Sequence, residues 1–276
     1  MIQFRSFSSE DWTEFQEITK EAFAREGITE EGFLQTIENE GFIGAFVEDK
    51  LVGYLRLMTH RVYGHLGQIA VTKLERGKGY GNKLMERALA YFKDKNLDRV
   101  GLYVETKNNV AINLYEKYGF VKQFESWNYW IEEDHFLKME ELGKKTENTE
   151  LRILTTQDYE TVVNTFPVTN KEELKSHLTD EQSVGFTGVE SIPLGLFVDN
   201  KLQIYGRFNP EFPGCRPFLV LDTEYFEEFI ARLKPYKRKD FIRLTFDKDS
   251  KLAVFFQERD YILWHHLCFM QREHKE

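Results

Sequence analysis

One stretch constrains this chain more than any other. Between Gln68 and Met85, a short apolar strand pattern is followed by a basic, glycine-rich segment and an amphipathic helix pattern. The apolar residues of that helix pattern recur at helical spacing: Leu84, Met85, Ala88, Leu89 and Phe92. Glycine has no Cβ to obstruct the backbone N–H groups, and a helix N-terminus adds unpaired donors and a partial positive charge. The stretch therefore predicts an anion site, with a phosphate or pyrophosphate as ligand.

Two common nucleotide-binding motifs fit this stretch poorly. A P-loop needs a lysine followed by serine or threonine, whereas Lys83 is followed by Leu84, and the glycine spacing of that motif is missing as well. The dinucleotide fingerprint needs a third glycine, and that position holds Asn82 when the motif is read from Gly77. Read from Gly79, the same position holds Leu84. Both motifs are therefore weakly supported.

Two stretches together resemble the signature of one enzyme family. The first is Arg76-x-x-Gly79-x-Gly81, which is similar to the pyrophosphate loop of the GNAT superfamily of acyl-CoA-dependent N-acyltransferases. The second runs from Asn108 to Phe120, after a strand pattern at 99–104. It contains an asparagine, a helix pattern with alanine and Leu-Tyr, and a closing Gly-Phe, and it resembles the other half of the GNAT signature. The resemblance covers the first half of the chain.

The resemblance implies acetyl-CoA, or another acyl-CoA, as the donor. Its pyrophosphate is expected over the amides of Lys78 to Asn82, with added charge from Arg76 and Lys78. The pantetheine arm is expected to pair like an extra strand with residues 69–71, which requires no particular side chains. The Val71 N–H is then a donor to the thioester carbonyl, an interaction worth about 2 to 4 kcal/mol. The expected cofactor-binding residues are Ile69, Ala70, Val71, Arg76, Gly77, Lys78, Gly79, Tyr80, Gly81, Asn82, Asn108 and Asn109.

Tyr115 is the expected general acid, which gives a proton to the departing CoA thiolate. The alternative interpretation is that Tyr115 is an aromatic residue of the helix core. Tyr80, between the glycines, is interpreted as an apolar plug rather than a reactive phenol. Asn108 and Asn109 are expected to cap the following helix, and one of them is also expected to contact the pantetheine arm. Capping alone would explain an asparagine there.

The sequence does not determine which residue is the general base. Gln68 holds a place where relatives often have a carboxylate, and an amide cannot accept the proton. Glu105, at the end of the strand pattern, is a candidate that would act through water, and His60 and His65 are weaker ones. Solvent could also take the proton of the amine before it binds.

The hydrophobic pattern predicts a mixed α/β fold. The predicted strands are 2–7, 42–48, 51–60, 66–72 and 98–104, followed by a final pair that ends near Met139. The predicted helices are one that begins after Ser8 and others at 29–37, 81–95 and 109–118. The strands 42–48 and 51–60 are expected to form a hairpin with Asp49 and Lys50 at its turn.

The 276 residues are long enough for two domains. The string Phe4–Trp12 lines up with Leu151–Tyr159, and Gly44–Leu51 lines up with Gly195–Leu202. We therefore expect two tandem GNAT-like domains, each with a central, mostly antiparallel sheet flanked by helices. The expected boundaries are 1–141 for the catalytic domain, 142–150 for a polar linker and 151–276 for the second copy.

The second copy lacks the chemical features of the first. Its strand pattern Phe218–Asp222 passes directly into the helix-like segment Thr223–Ala231, without a glycine loop. Glutamates at 224, 227 and 228 would repel a pyrophosphate there, and Tyr115 is matched by Phe256. We expect one working site, in the first half, and a degenerate second half. That half would shape one wall of the acceptor cleft and replace a partner subunit, so the chain is expected to be a monomer with a pseudo-dimeric pair of domains.

Composition excludes several other classes of protein. The formal net charge of −9 argues against nucleic acid as a partner, because such binding depends on basic surface. No apolar run has the length of a membrane span, so no membrane partner is expected, and the protein is expected to be cytoplasmic. Cys215 and Cys268 are far apart, and the seven histidines form no spaced motif. Neither a disulfide nor a metal is therefore expected.

The leading hypothesis is an N-acetyltransferase that moves the acetyl group from acetyl-CoA directly to a primary amine in a ternary complex. The acceptor could be a polyamine, an aminoglycoside, an amino acid derivative or a protein amine, because none of these has a specific signature here. The alternative hypothesis is a non-catalytic module that binds acyl-CoA and has a regulatory role.

Overall fold

The structure is a computed structural model that describes residues 2–23, 28–60, 63–97, 99–142, 147–167, 171–179, 191–210, 215–238, 240–259, 261 and 263–273. The chain divides into two compact units. The first comprises residues 1–124 together with 268–276, and the second comprises residues 125–267. Within the described ranges, no helix combines the length and the apolar composition that a membrane span requires.

The first unit is a mixed sheet with helices on both faces. Its elements are β1 Gln3–Ser6, α1 Trp12–Phe23, α2 Glu30–Thr36, β2 Phe42–Val47, β3 Lys50–His60, β4 Tyr63–Val71, α3 Tyr80–Asp94, β5 Arg99–Glu105 and α4 Asn109–Lys117, with the start of β6 Val121–Glu132 and the end of β12 Leu263–Glu273. The strand order is β1-β2-β3-β4-β5-β12. The pairs from β1 to β4 are antiparallel, and β4 and β5 are parallel.

Each face of this sheet buries a different set of side chains. Aromatic rings of α1, α2 and the first strands pack on one face, with Phe15, Phe33 and Tyr54 buried among them. Apolar residues of α3 cover the other face, where Leu84 and Phe92 are fully buried. The apolar residues of α3 therefore face the core, as their helical spacing predicts. Their burial holds the helix that follows the glycine loop against the sheet.

The C-terminal strand belongs to the first unit. Cys268 and Met270 are 3% and 0% exposed and lie in the same core as Val100 and Leu102. The ring of Phe269 lies 5.0 Å from that of Tyr103. The expected domain boundaries placed residues 268–276 in the second domain and residues 125–141 in the first. In the structure, residues 268–276 belong to the first unit and residues 125–141 to the second.

Three local expectations are corrected by the structure. The hairpin turns at Glu48 and Asp49, which have φ of 50° and 62°, so β3 begins at Lys50, one residue earlier than expected. The strands before Met139 are one long strand, β6, followed by helix α5 Glu133–Leu142. Acidic residues in the first turn of α5 favour that helix, because they meet the positive end of its dipole. The expected linker 142–150 overlaps the end of α5 and the start of β7, and its residues 143–146 lie outside the described ranges.

The second unit contains two sets of paired strands. Its elements are the rest of β6, α5, β7 Thr149–Ile153, α6 Tyr159–Thr165, α7 Lys171–Leu178, β8 Ile192–Val198, β9 Lys201–Phe208, β10 Cys215–Val220, α8 Phe226–Arg232, β11 Phe241–Asp247, α9 Lys251–Gln257 and the start of β12. Four strands form an antiparallel sheet in the order β10-β9-β8-β7. β6 pairs with β11, also antiparallel.

The two units share a local structure that the aligned strings predict. In the first, the guanidinium of Arg5 donates to both carboxylate oxygens of Asp11, at 2.7 and 2.8 Å. In the second, Arg152 donates to Asp158 in the same way, at 3.1 and 2.6 Å. Each arginine also lies over an aromatic ring, Phe46 at 3.6 Å and Phe197 at 4.3 Å. These paired features support the expectation of an internal duplication.

Candidate active site

β4 and β5 separate in the middle of the first unit. They pair only from Tyr63 with Arg99 to His65 with Gly101, whereas β4 stays paired with β3 as far as Val71. Within the described part of the chain, the β5-facing edge of β4 beyond His65 therefore has no strand partner. An open strand edge of this kind can pair with an extended ligand.

A bulge in β4 accompanies this separation. Arg56 of β3 pairs with Gln68, and Leu57 pairs with Leu66, so Gly67 is the extra residue on β4. The sequence analysis did not identify this feature. A glycine inside a strand pattern was the available signal, because such a glycine often marks a bulge.

Backbone direction shows which groups of β4 face the open edge. The Thr72 N–H donates to the Val52 carbonyl of β3 at 3.0 Å. Since N–H and C=O groups alternate in direction along a strand, those of Val71 and Ile69 point to the opposite, open edge. Ala70 is 4% exposed, and its own backbone groups face β3. Of the three expected pantetheine-pairing residues, Ile69 and Val71 are therefore the two that present backbone groups to a ligand.

The glycine loop presents a run of unpaired donors. Within the described residues, the backbone N–H groups from Gly77 to Gly81 donate no hydrogen bond. The N–H groups of Asn82 and Lys83 both donate to the Gly79 carbonyl, at 3.1 and 3.3 Å. The available donors are thus 77–81 rather than the expected 78–82. Five neighbouring donors at the N-terminus of a 15-residue helix form a concentrated positive potential.

Two glycines give the loop its backbone shape. Gly77 and Gly79 have φ of 79° and 88°, a region that other residues rarely adopt. A Cβ built at either position meets no atom within 4 Å. The requirement for glycine is therefore conformational, and the space above the loop is open to a ligand.

The charged side chains of the loop have partners of their own. Arg76 Nε donates to the Val71 carbonyl at 3.0 Å, which fixes the loop beside the open edge of β4. Lys78 Nζ lies 2.9 Å from Glu75 Oε1, and this hydrogen bond raises the pKa of the lysine. Since both partners of that ion pair reach solvent, the pair is weak, and Lys78 can exchange Glu75 for a more highly charged anion.

Glu21 of α1 is a residue that the sequence analysis missed. Its carboxylate accepts the Lys73 N–H at 2.7 Å and the Thr72 hydroxyl at 3.0 Å. These bonds cap the short 3-10 helix Lys73–Glu75 that leads into the loop, and the Lys73 N–H in particular lowers the pKa of Glu21. No local pattern could have identified Glu21, because it is more than 50 residues from its partners.

Two residues of the expected phosphate site have structural roles. Tyr80 is half-buried against the core of the first unit, in agreement with its interpretation as an apolar plug. Asn82 faces α4, where its Oδ1 accepts Lys117 Nζ at 2.6 Å and its carbonyl accepts the Tyr118 hydroxyl at 3.1 Å. Asn82 therefore joins the first turn of α3 to the end of α4.

Tyr115 lies on α4 with its ring in the core of the first unit. It is 5% exposed, and burial raises the pKa of its phenol. Its hydroxyl has no hydrogen-bond partner among the residues that the structure describes. A raised pKa keeps the phenol protonated but makes it a weaker acid, so the burial by itself favours the alternative of a core aromatic, and the role of general acid stays a prediction.

The asparagines before α4 differ in their contacts. Asn108 Oδ1 accepts the Ala111 N–H at 3.1 Å, so Asn108 caps the helix as expected. Asn109 is the first helical residue, and its N–H donates to Lys107 O at 3.0 Å. Its side chain is exposed.

The candidate bases lie near the separating strands. Glu105 ends β5 and is half-buried. The ring of His65 lies 6.0 Å from that of Tyr103, and alternation along β5 places Glu105 on the same sheet face as Tyr103. The His60 side chain lies outside the described part. Among the described residues, no three His, Cys, Asp or Glu side chains form a group that could hold a metal.

The corresponding region of the second unit has no glycine loop. Its 3-10 helix Thr223–Tyr225 runs directly into α8, and Asp222 Oδ1 caps it by accepting the Glu224 N–H at 3.0 Å. The carboxylate of Glu228, in the first turn of α8, pairs with Arg232 at 2.8 Å. Phe256 is 1% exposed and offers no hydroxyl. That this half holds no pyrophosphate stays a prediction.

Comparisons with known proteins identify the same region. The model of the acetyltransferase (GNAT) family matches residues 4–120. N-alpha-acetyltransferase 30 of Saccharomyces cerevisiae is 33% identical over 79 residues, which are 29% of this chain and 45% of the relative. Mycothiol acetyltransferase of Paenarthrobacter aurescens is 32% identical over 99 residues, 36% of this chain and 30% of the relative. The chain thus spans less than half of these relatives.

A solved structure extends the likeness in fold to nearly the whole chain. A GCN5-related N-acetyltransferase from Sphaerobacter thermophilus superposes with a TM-score of 0.66 at 15% identity, over 99% of this chain and 95% of that one. At this identity the likeness concerns the fold alone. The matched family model shows that residues 4–120 form an acetyltransferase domain of the GNAT family, which is a family of acyltransferase enzymes.

Proposed function

We propose that the first unit transfers an acetyl group from acetyl-CoA to a primary amine, directly and in a ternary complex. The observation that carries this proposal is the run of unpaired N–H groups from Gly77 to Gly81 beside the open edge of β4. The N–H groups suit a pyrophosphate, and the strand edge suits a pantetheine arm. Acetyl-CoA contains both groups in sequence, so one ligand can use both features.

The proposed chemistry assigns one role to each feature. The pyrophosphate accepts hydrogen bonds from the loop, and the arm pairs with Ile69 and Val71. The amine nitrogen attacks the thioester carbon, while the Val71 N–H stabilises the charge that forms on the carbonyl oxygen. The C–S bond then breaks as the sulfur takes the proton of Tyr115, and the phenolate regains a proton from solvent before the next turnover. The proton lost by the amine goes to Glu105 through water, or to solvent.

The acceptor is proposed as a primary amine on a peptide or a small molecule. The two kinds of relative named above support both options, since one is named for N-alpha acetylation and the other for mycothiol. The half-buried Glu105, on the sheet face of Tyr103, can attract an ammonium group to this side of β5.

A CoA-release assay over a panel of peptides, polyamines and amino sugars tests the proposal. Tyr115→Phe is expected to lower kcat at least a hundredfold, by the usual contribution of a general acid. Gly79→Glu is expected to abolish acetyl-CoA binding, because it places a carboxylate where the pyrophosphate would lie. Tyr91→Phe, on the half-buried side of α3, is the matched control and should behave like the unmodified chain.

Two outcomes would contradict this function. If neither Tyr115→Phe nor Gly79→Glu lowers turnover, the proposed mechanism is wrong. Tight binding of acetyl-CoA in calorimetry without transfer to any amine would support instead the module that binds acyl-CoA without catalysis.

A further inference from the structure

An arginine from the far end of the chain closes the helix that carries Tyr115. Arg272, near the end of β12, donates from Nη1 to the Tyr118 carbonyl at 3.0 Å. Its stem passes over Gly119, where a Cβ would lie 3.9 Å from the arginine Cδ. The two partners are 154 residues apart, and both belong to the first unit.

The end of α4 has a defined hydrogen-bonded geometry. The Phe120 N–H donates to the Tyr115 carbonyl at 3.1 Å, and the Gly119 N–H donates to Glu116 at 3.0 Å. With Gly119 at φ 81°, this is a Schellman motif. Tyr115 is the residue whose carbonyl closes it, so its orientation depends on how this turn is held. A cation here also meets the negative end of the helix dipole.

The same turn is attached to the glycine loop. The Tyr118 hydroxyl donates to the Asn82 carbonyl, and Lys117 Nζ donates to Asn82 Oδ1. Asn82 follows Gly81, whose N–H is among the unpaired donors of the loop. Arg272 therefore holds one side of a turn whose other side is bound to the proposed pyrophosphate site.

We propose that Arg272 is a positioning residue for acetyl transfer. It holds the last turn of α4 so that the Tyr115 hydroxyl meets the CoA sulfur while the loop holds the pyrophosphate. This inference rests on the proposed function. It differs from a role in stability alone, because it predicts that Arg272 acts through Tyr115.

A double-mutant cycle on the full chain tests the inference. Arg272→Met, which keeps the stem and removes the donors, is expected to lower kcat about tenfold with KM for acetyl-CoA within about twofold, because orientation governs the chemical step. Arg272→Lys, which restores one cationic donor, is expected to recover part of that loss. Gln271→Met on the same strand is the matched control. In a Tyr115→Phe background, Arg272→Met is expected to cause little further loss, since residues that act as a unit are not additive.

The opposite results would overturn the inference. A folded Arg272→Met chain with unchanged kcat would remove any positioning role. An equal loss with and without Tyr115 would show that Arg272 acts elsewhere. If no amine is acetylated, the same cycle is measured on hydrolysis of acetyl-CoA, which needs no acceptor. If Arg272→Met then slows hydrolysis in the unmodified chain but causes little further loss in Tyr115→Phe, the positioning role of Arg272 is retained, although the assignment of an amine acceptor fails.

Discussion

At the scale of single residues, the site depends on backbone conformation as much as on side chains. The loop glycines supply positive φ, and the N–H groups that this shape presents belong to the main chain. Side chains that the motif would assign to the phosphate have other partners, as Lys78 and Asn82 show. Substitutions at the glycines and at Tyr115 therefore test different physical effects.

Gly79→Ala is expected to destabilise the protein by about 1 to 2 kcal/mol, the cost of a Cβ in the left-handed region. It is also expected to raise KM for acetyl-CoA, because relaxation of the strain turns N–H groups away from the ligand. Urea unfolding and steady-state kinetics measure the two effects. Gly81→Ala is the control, since its Cβ meets Leu114 at an ordinary 3.4 Å and alanine suits a helix. Equal losses in the two variants would contradict the conformational explanation.

Burial of Tyr115 is expected to make the free energy of unfolding depend on pH in the alkaline range. Its pKa is raised by burial, so the folded state keeps the phenol proton at a pH where the unfolded chain, with a pKa near ~10, loses it. The stabilisation that comes from keeping the Tyr115 proton is therefore fully present below the pKa of the unfolded chain. It is lost as the pH rises toward the pKa of the folded state. The free energy of unfolding should fall less steeply above about pH 10 in Tyr115→Phe than in the unmodified chain. Parallel curves would show that Tyr115 is not titrated on unfolding.

At the scale of elements, short helices are held by caps at both ends. Asn108 begins α4, and the Gly119 turn ends it. The helix has nine residues, too few for stability in isolation, so these ends and its packing must hold it. The Glu21 cap of the 3-10 helix before the loop follows the same logic, with a partner from another element.

Asn108→Ala is expected to cost about 1 kcal/mol of stability, and Asn108→Ser much less, because serine also accepts a hydrogen bond at an N-cap. The two substitutions also separate the roles considered for Asn108. If it only caps the helix, KM for acetyl-CoA should change little in the serine variant. If it contacts the pantetheine arm, KM should rise in both variants. Urea unfolding and acetyl-CoA kinetics decide between these outcomes.

At the scale of the whole molecule, the end of the chain completes the unit formed by its beginning. Residues 268–273 lie beside β5 and bury Cys268 and Met270 in the first core. The strings shared by the two halves support a duplication. We propose a monomer of 32.8 kDa in which the second half replaces a partner subunit, and sedimentation velocity tests it.

Deletion of residues 268–276 is expected to unfold the first unit. It removes two buried side chains, Cys268 and Met270, from the core that contains Val100 and Leu102, and this loss exceeds the usual cost of a single core truncation of ~2 to 5 kcal/mol. Circular dichroism and acetyl-CoA calorimetry should show loss of cooperative unfolding and of binding. A chain that ends at Glu273 is the control. A soluble, acetyl-CoA-binding fragment of residues 1–141 would contradict this expectation.

The sequence by itself determined the features that depend on neighbouring residues. These are the glycine loop, the N-cap of α4, the pairing of β2 with β3 in a hairpin and the absence of a glycine loop in the second half, because dihedral preferences and capping act over a few positions. The tertiary structure alone decided the separation of β4 from β5, the placement of the last strand, the roles of Asn82 and Glu21, and the contact of Arg272 with α4. Each of these joins residues far apart in the chain, and packing rather than local preference brings such residues together.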